Sequence, residues 1–306
     1  METMEIYQKL KDDVGQVEIL SLPILVYQGC SIFDVVSGKL SNYLYVVRKL
    51  LNNGEYDREF HYRMSSIVNG LIEVFMLISD CKFDIAYNRL KTHPFIMDII
   101  KPFIISSLPN VYYRARKGMF DKAKELFHVP STKNYLCQSF RFSESGYPAL
   151  YLSASKEGCK VEIPGKATIA KFLLRNVEKT FHFLDLTFLN LQNNELNVTK
   201  NQKELHLMWP IIACCYILTH WDSNNQRQDN AIRFYKEEYI FPQLLSRFLR
   251  ETALVDGIKY FTVRDELLDP SNDDKTDYVF FTKQYDKNGL DEILSSKFDI
   301  NILIDK

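Results

Sequence analysis

The sequence predicts an α+β protein: an all-α stretch over residues 1–105, then a domain of mixed strands and helices over residues 106–306. Three observations carry this expectation. Before residue 105 the apolar residues recur at helical spacing, with few β-branched alternations. Near Leu108-Pro109-Asn110 the texture changes, and short aromatic and β-branched runs begin. The later strands and helices do not alternate regularly, which favours a largely antiparallel or mixed sheet over a doubly wound parallel one. At 306 residues the chain has the length of about two domains.

The elements follow in order. Ser31 to Ser37 leads into Leu40, Leu44, Val47 and Leu50 at helical spacing, and Asn52-Asn53-Gly54 stops the run. A second helix runs from Met64 through Leu71, Val74, Phe75, Leu77 and Ile78. A third runs from Pro94 to Ile100 and ends at Lys101-Pro102, because a proline disfavours helical geometry in the residue before it. Val111-Tyr112-Tyr113-Arg114-Ala115 reads as a strand, as does Ala149 to Ser153, which is reached through the turn residues Ser145-Gly146-Tyr147-Pro148. Thr180 to Leu186 is a further strand. His206 to His220 reads as a buried helix, and Tyr235 to Glu251 as an amphipathic one. Gly257 to Thr262 and Asp277 to Thr282 are late strands, and the polar stretch Asp269 to Lys275 is a surface loop.

Composition narrows the function classes. The net charge is −1, so the basic surplus of a general nucleic-acid binder is missing. The six cysteines are scattered without a C-x-x-C pair, which suits reduced thiols in a cytoplasmic protein. Met1 to Glu5 is acidic and carries no apolar signal core. The longest apolar run, about Leu207 to Leu218, contains Pro210 and falls short of the ~20 residues that span a bilayer. No membrane or nucleic-acid partner is therefore expected. The six histidines lack metal-ligand spacing, and no metal is expected. Dinucleotide-fold, P-loop and nucleophile-elbow motifs are also missing.

Chemistry-bearing residues gather between Tyr113 and Glu162. A guanidinium at Arg114, at the end of a strand, could grip a pyrophosphate through two parallel hydrogen bonds. An inward ring at Tyr151 could stack on nicotinamide or ribose. Glu162, a carboxylate among apolar neighbours, could hold a ribose hydroxyl and stabilise a developing sugar cation, or could simply stand exposed at the end of a strand.

The order of these residues resembles the RES-domain family, which includes toxins of bacterial toxin–antitoxin pairs and larger stand-alone proteins. The resemblance runs over roughly residues 108–290. It rests on Tyr113-Arg114, then Arg141-Phe142-Ser143 with Gly146, Pro148 and Leu150-Tyr151-Leu152, then Cys159-x-x-Glu162. It continues through Tyr239 to Leu245 and Asp256 to Thr262. The family's arginine maps onto Arg114 and its glutamate onto Glu162. Its serine falls near Thr262, a departure that keeps the hydroxyl and adds a methyl.

The resemblance implies an ADP-ribosyltransferase-like core and an enzyme that consumes NAD as its substrate, with no cofactor. Arg114, Glu162 and Thr262 are the implied catalytic residues, and Tyr113, Arg141 and Tyr151 the implied NAD-binding ones. Cleavage of the nicotinamide–ribose bond would proceed by phosphorolysis, hydrolysis or ADP-ribosyl transfer, in a toxin or a phage-defence effector. Lys160, two before Glu162, departs from the acidic or amide residue of arginine-directed transferases and disfavours an arginine acceptor. Toxin members are silenced by a partner that blocks the cleft, so an antitoxin is a candidate partner and a homodimer a candidate assembly. The helical region is HEPN-like at most. Arg58 and His61 are too close for the HEPN ribonuclease pair, and Arg89 and His93 miss its spacing by one. A regulatory or dimerising role is expected there. The alternative reading is a non-catalytic module that binds NAD, ADP-ribose or a protein.

Overall fold

A computed structural model describes residues 21–52, 58–163, 166–175, 181–187, 202–220, 236–262 and 275–303. The strands are β1 (Ile24–Tyr27), β2 (Ile104–Ile105), β3 (Val111–Lys117), β4 (Ala149–Ser153) and β5 (Ala167–Leu174). They continue as β6 (Phe183–Asp185), β7 (Ile217–His220), β8 (Gly257–Phe261), β9 (Thr276–Phe281) and β10 (Phe298–Leu303). The helices are α1 (Ile32–Asn52), α2 (Arg58–Ser79), α3 (Phe83–Lys91) and α4 (Ile96–Ile100), then α5 (Lys156–Glu162), α6 (Gln202–Cys215), α7 (Ile240–Thr252) and α8 (Glu292–Lys297). The chain forms two compact units. The first holds residues 1–102, 188–248 and 266–268, and the second holds residues 103–187, 249–265 and 269–306. Residues 188–248, which the sequence groups with the second domain, cluster with the first.

The first unit is mostly helical. The expected helices over residues 31–52, 64–78 and 94–100 correspond to α1, α2 and α4. In α2, Met64, Ile67, Val68, Leu71, Val74, Phe75 and Ile78 are buried along one face, as three- and four-residue spacing requires. Two expectations need correction. The region before residue 105 is not wholly helical, because β1 pairs in parallel with β7 from Ile24↔Ile217 to Tyr27↔His220. The helix expected over 206–220 ends at Cys215, and Ile217–His220 is that partner strand. Continuous apolar character cannot separate a buried helix from a buried strand.

Pro210 sits inside α6 and lacks the N–H that would reach the carbonyl of His206. The Tyr43 hydroxyl donates to that carbonyl at 3.1 Å and lies 2.8 Å from His206 Nδ1. The Tyr43 ring also stacks on Trp209 at 4.2 Å.

The second unit is built on an eight-stranded mixed sheet in the order β10-β5-β3-β4-β9-β8-β6-β2. Its neighbours are antiparallel except for the parallel pair β6 and β8. The α+β class expected from the sequence is therefore the class observed. The seams differ in strength. β3 and β5 pair from Val111↔Leu173 to Lys117↔Ala167, whereas β3 and β4 share only Tyr113↔Ser153.

One face of this sheet carries an aromatic core of Tyr112, Leu150, Leu152, Phe172, Phe183, Tyr278, Phe280 and Phe298. Phe280 is met edge-on by Tyr112, Phe181, Phe183 and Phe298, with ring centroids 4.8–5.6 Å apart. Gly257 opens β8 because a Cβ there would overlap the Val279 carbonyl and approach the Phe183 ring to 2.6 Å. The loop expected over 269–275 lies outside the described residues except for Lys275.

Candidate functional site

All six residues singled out from the sequence belong to the second unit. Strand alternation separates two of them at once. On β3, Tyr112 joins the aromatic core, and Arg114 shares its face opposite Ala170. Tyr113 and Ala115 face the other way, towards Cys159 of α5. Tyr113 and Arg114 are thus neighbours in sequence on opposite sides of the sheet.

Arg114 is the electrostatic anomaly of the unit. Its Nη1 is buried with no hydrogen-bond partner among the described residues. Burial, and then repulsion from Arg116, pulls the guanidinium pKa down to about 10, while Tyr151 acts in the opposite direction. His128 is 1% exposed and also feels this cation. It is held between the Val129 carbonyl, 2.8 Å from Nδ1, and the Asp291 N–H, which donates to Nε2 at 2.9 Å. That arrangement places the proton on Nδ1. Burial is the largest influence on the imidazole and lowers its pKa.

Tyr151 and the Arg141–Ser143 segment do come together. The Tyr151 Oη lies 2.9 Å from Ser143 Oγ and accepts from the Phe142 N–H at 3.3 Å. The Phe142 ring packs on Tyr260 at 4.7 Å, two residues before Thr262. Arg141 is buried at 9% exposure. Thr262 is buried one residue past the end of β8, and its N–H donates to the Lys275 carbonyl at 2.9 Å.

Glu162 is the last residue of α5, not the end of a strand. A short helix was hidden from a period-two reading by the alternating run Lys160-Val161-Glu162-Ile163. Ser155 caps α5 by accepting from the Gly158 N–H at 2.8 Å. The side chain of Glu162 lies outside the described ones.

Reading the sequence missed a polar row. Register pairs Lys171↔Tyr113, Tyr113↔Ser153, Ser153↔Asp277 and Asp277↔Tyr260 line up across five strands on the face away from the aromatic core. Ser153 and Asp277 are buried at 4% and 6% exposure. Ser153 Oγ has no partner among the described residues. Asp277 helps to raise the Cys159 thiol pKa to about 12, after burial as the main cause. The available signal was Asp277 heading an otherwise apolar strand.

Among the described residues no group of three or more His, Cys, Asp or Glu could hold a metal ion. No helix among them is long and apolar enough to cross a membrane. None of the six cysteines forms a disulfide.

Neither a protein-family model nor a solved structure matches the chain. A Bacillus subtilis (strain 168) protein described as "Putative toxin YopC" is 23% identical over 252 residues, covering 72% of this chain and 54% of that protein. The chain thus spans about half the length of this curated relative.

Proposed function

We propose that the chain is a toxin of the RES-domain kind, an enzyme that consumes NAD by breaking its nicotinamide–ribose bond. The observation that carries this reading is Arg114, whose Nη1 is buried with no hydrogen-bond partner among the described residues. A sequestered cation without a counter-charge is costly, and a pyrophosphate would supply both the charge and the acceptors. The relative's name supports the toxin role.

In this reading Arg114, with Arg141, holds the pyrophosphate, and Tyr151 packs on the nicotinamide side. Glu162 orients the ribose and stabilises the cationic sugar, and the Thr262 hydroxyl assists binding. The C1′–N bond breaks, its electron pair leaves with neutral nicotinamide, and an acceptor oxygen bonds to C1′ and gives up its proton. Phosphate or water as acceptor makes the reaction phosphorolysis or hydrolysis. A protein acceptor makes it ADP-ribosyl transfer. Groups fixed before the charge develops lower the barrier without reorganising. The ADP-ribosyltransferase-like core, the cytoplasmic site of action and silencing by an antitoxin belong to the same proposal.

The test is nicotinamide release from NAD by the purified protein, with and without phosphate, beside Glu162→Gln. Release that disappears in the variant is expected, and its phosphate dependence identifies the acceptor. Equal release by both proteins sinks the assignment of Glu162. A second reading, a RES-like module that binds NAD, ADP-ribose or a protein without turnover, is favoured by Thr262 standing where the family has serine. Tight NAD binding without release would select it.

A further inference from the structure

The two edges of the second unit's sheet are guarded differently. One edge is β2, with 2 residues. The other is β10, with 6 residues, paired only with β5 among the described residues. Natural edge strands are kept from joining other chains by shortness, bulges, prolines or lysines. β10 has none of these. Its register with β5 runs unbroken from Phe298↔Leu174 to Leu303↔Ile169. Phe298-Asp299-Ile300-Asn301-Ile302-Leu303 contains neither proline nor lysine. Its one charge, Asp299, is tied to Arg175, the residue after β5.

The ladder fixes which backbone groups look outwards. One step before Phe298↔Leu174, the Arg175 N–H donates to the Lys297 carbonyl at 2.7 Å. Bonded residues alternate in an antiparallel ladder, so Asp299, Asn301 and Leu303 turn their backbone groups towards β5. Phe298, Ile300 and Ile302 turn theirs away from it. The Phe298 N–H is already taken by the Leu294 carbonyl at the end of α8. Ile300 and Ile302 therefore hold the complete outward sets of donor and acceptor. Their side chains are half-buried against the aromatic cluster, and Asn301 between them is exposed on the other face.

We infer that this edge pairs with the same edge of a second copy of the chain, β10 against β10, antiparallel about a two-fold axis at Asn301. The occupant follows from the symmetry of the set. A strand that satisfies both isoleucines must present a donor and an acceptor opposite each, and β10 itself does so when Ile300 of one copy faces Ile302 of the other. Such a two-fold contact is self-complementary. Asn301 then meets its counterpart at the closer, non-hydrogen-bonded position, where each carboxamide offers both a donor and an acceptor. Asp299 falls opposite Leu303 of the second copy, so no like charges meet. The isoleucines carry the apolar face across the seam. The inference stands independently of the NAD reading.

The experiment has two arms. In sedimentation, the mass of the wild-type chain is expected to rise from 35.9 kDa towards twice that value with concentration. Asn301→Asp sets two carboxylates face to face and should raise the dissociation constant about five-fold. Within its own copy the new carboxylate stands opposite Lys171, so the melting temperature of dilute protein should hold. In the second arm Cys30 and Cys81, which are exposed, are replaced by serine, and single cysteines are oxidised. Asn301→Cys should crosslink into a dimer, because facing residues of a non-hydrogen-bonded pair lie within disulfide reach. Asp299→Cys, which faces Leu303, should not. A wild type that sediments at 35.9 kDa at every concentration overturns the second copy as occupant and leaves the edge to a strand from another protein. A dimer indifferent to Asn301→Asp, and crosslinked no better at 301 than at 299, assigns the association to another surface and overturns the seam.

Discussion

The two faces of the second unit's sheet solve opposite problems. One face is a packed set of rings around Phe280 and Phe183, with Tyr112 and Phe298 against them. The other carries the row Lys171, Tyr113, Ser153, Asp277 and Tyr260, with buried polar groups in the middle of the sheet. Aromatic burial stabilises without regard to ligands. Buried polar groups cost free energy unless they find partners. The first face accounts for folding, and the second has the composition of a surface kept for recognition. Arg114 crosses this division: it is a cation placed on the aromatic face, with one nitrogen unpartnered among the described residues.

The largest expected effect breaks the aromatic face. Phe280→Ala deletes a fully buried ring touched by four others and should cost about 3–5 kcal/mol in denaturant unfolding. A loss below about 1 kcal/mol would mean that the rings are not a close-packed core.

Arg114→Met tests the exception. The substitution keeps length and removes a charge that burial already disfavours, so stability should hold or rise by about 1–2 kcal/mol. NAD cleavage should fall by roughly a hundred-fold. A drop in melting temperature would mean that the guanidinium is satisfied in solution, and the function proposed for it would lose its basis.

The smallest effect concerns His128. Its folded-state pKa lies below the ordinary histidine value, so the unfolded chain takes up the proton first as pH falls. The stability contributed is present above about pH 6.5 and is lost as pH drops through the lowered folded value. His128→Gln can still donate to Val129 and accept from Asp291, and it should flatten the loss of melting temperature below pH 6.5. An unaltered acid profile would assign that sensitivity to other groups, such as His93, which burial also lowers.

Much of the fold was legible. The periodicity of α2 is visible because Leu71, Val74, Phe75 and Ile78 face one core at helical spacing. β3, β4, β8 and β9 announced themselves through aromatic and β-branched runs. β5 did not, although it is paired on both sides, because Ala167 to Leu174 carries two alanines and a lysine. β10 was overlooked although its apolar residues alternate with Asp299 and Asn301. Of the candidate site, the sequence offered Arg114, Tyr151 and Arg141-Phe142-Ser143 as residue types in order, and only the structure shows Ser143 and Phe142 meeting the Tyr151 hydroxyl. The polar row was not, because its members come from five strands joined only by register.

The sequence by itself determined the α+β class and the helical periodicity of residues 31–52 and 64–78, because both are local properties of spacing and composition. Tertiary structure alone decided which face each candidate site residue occupies, that Glu162 ends a helix, and that residues 188–248 return to the first unit. Those outcomes depend on strand register and long-range burial, which contacts distant in the chain establish together.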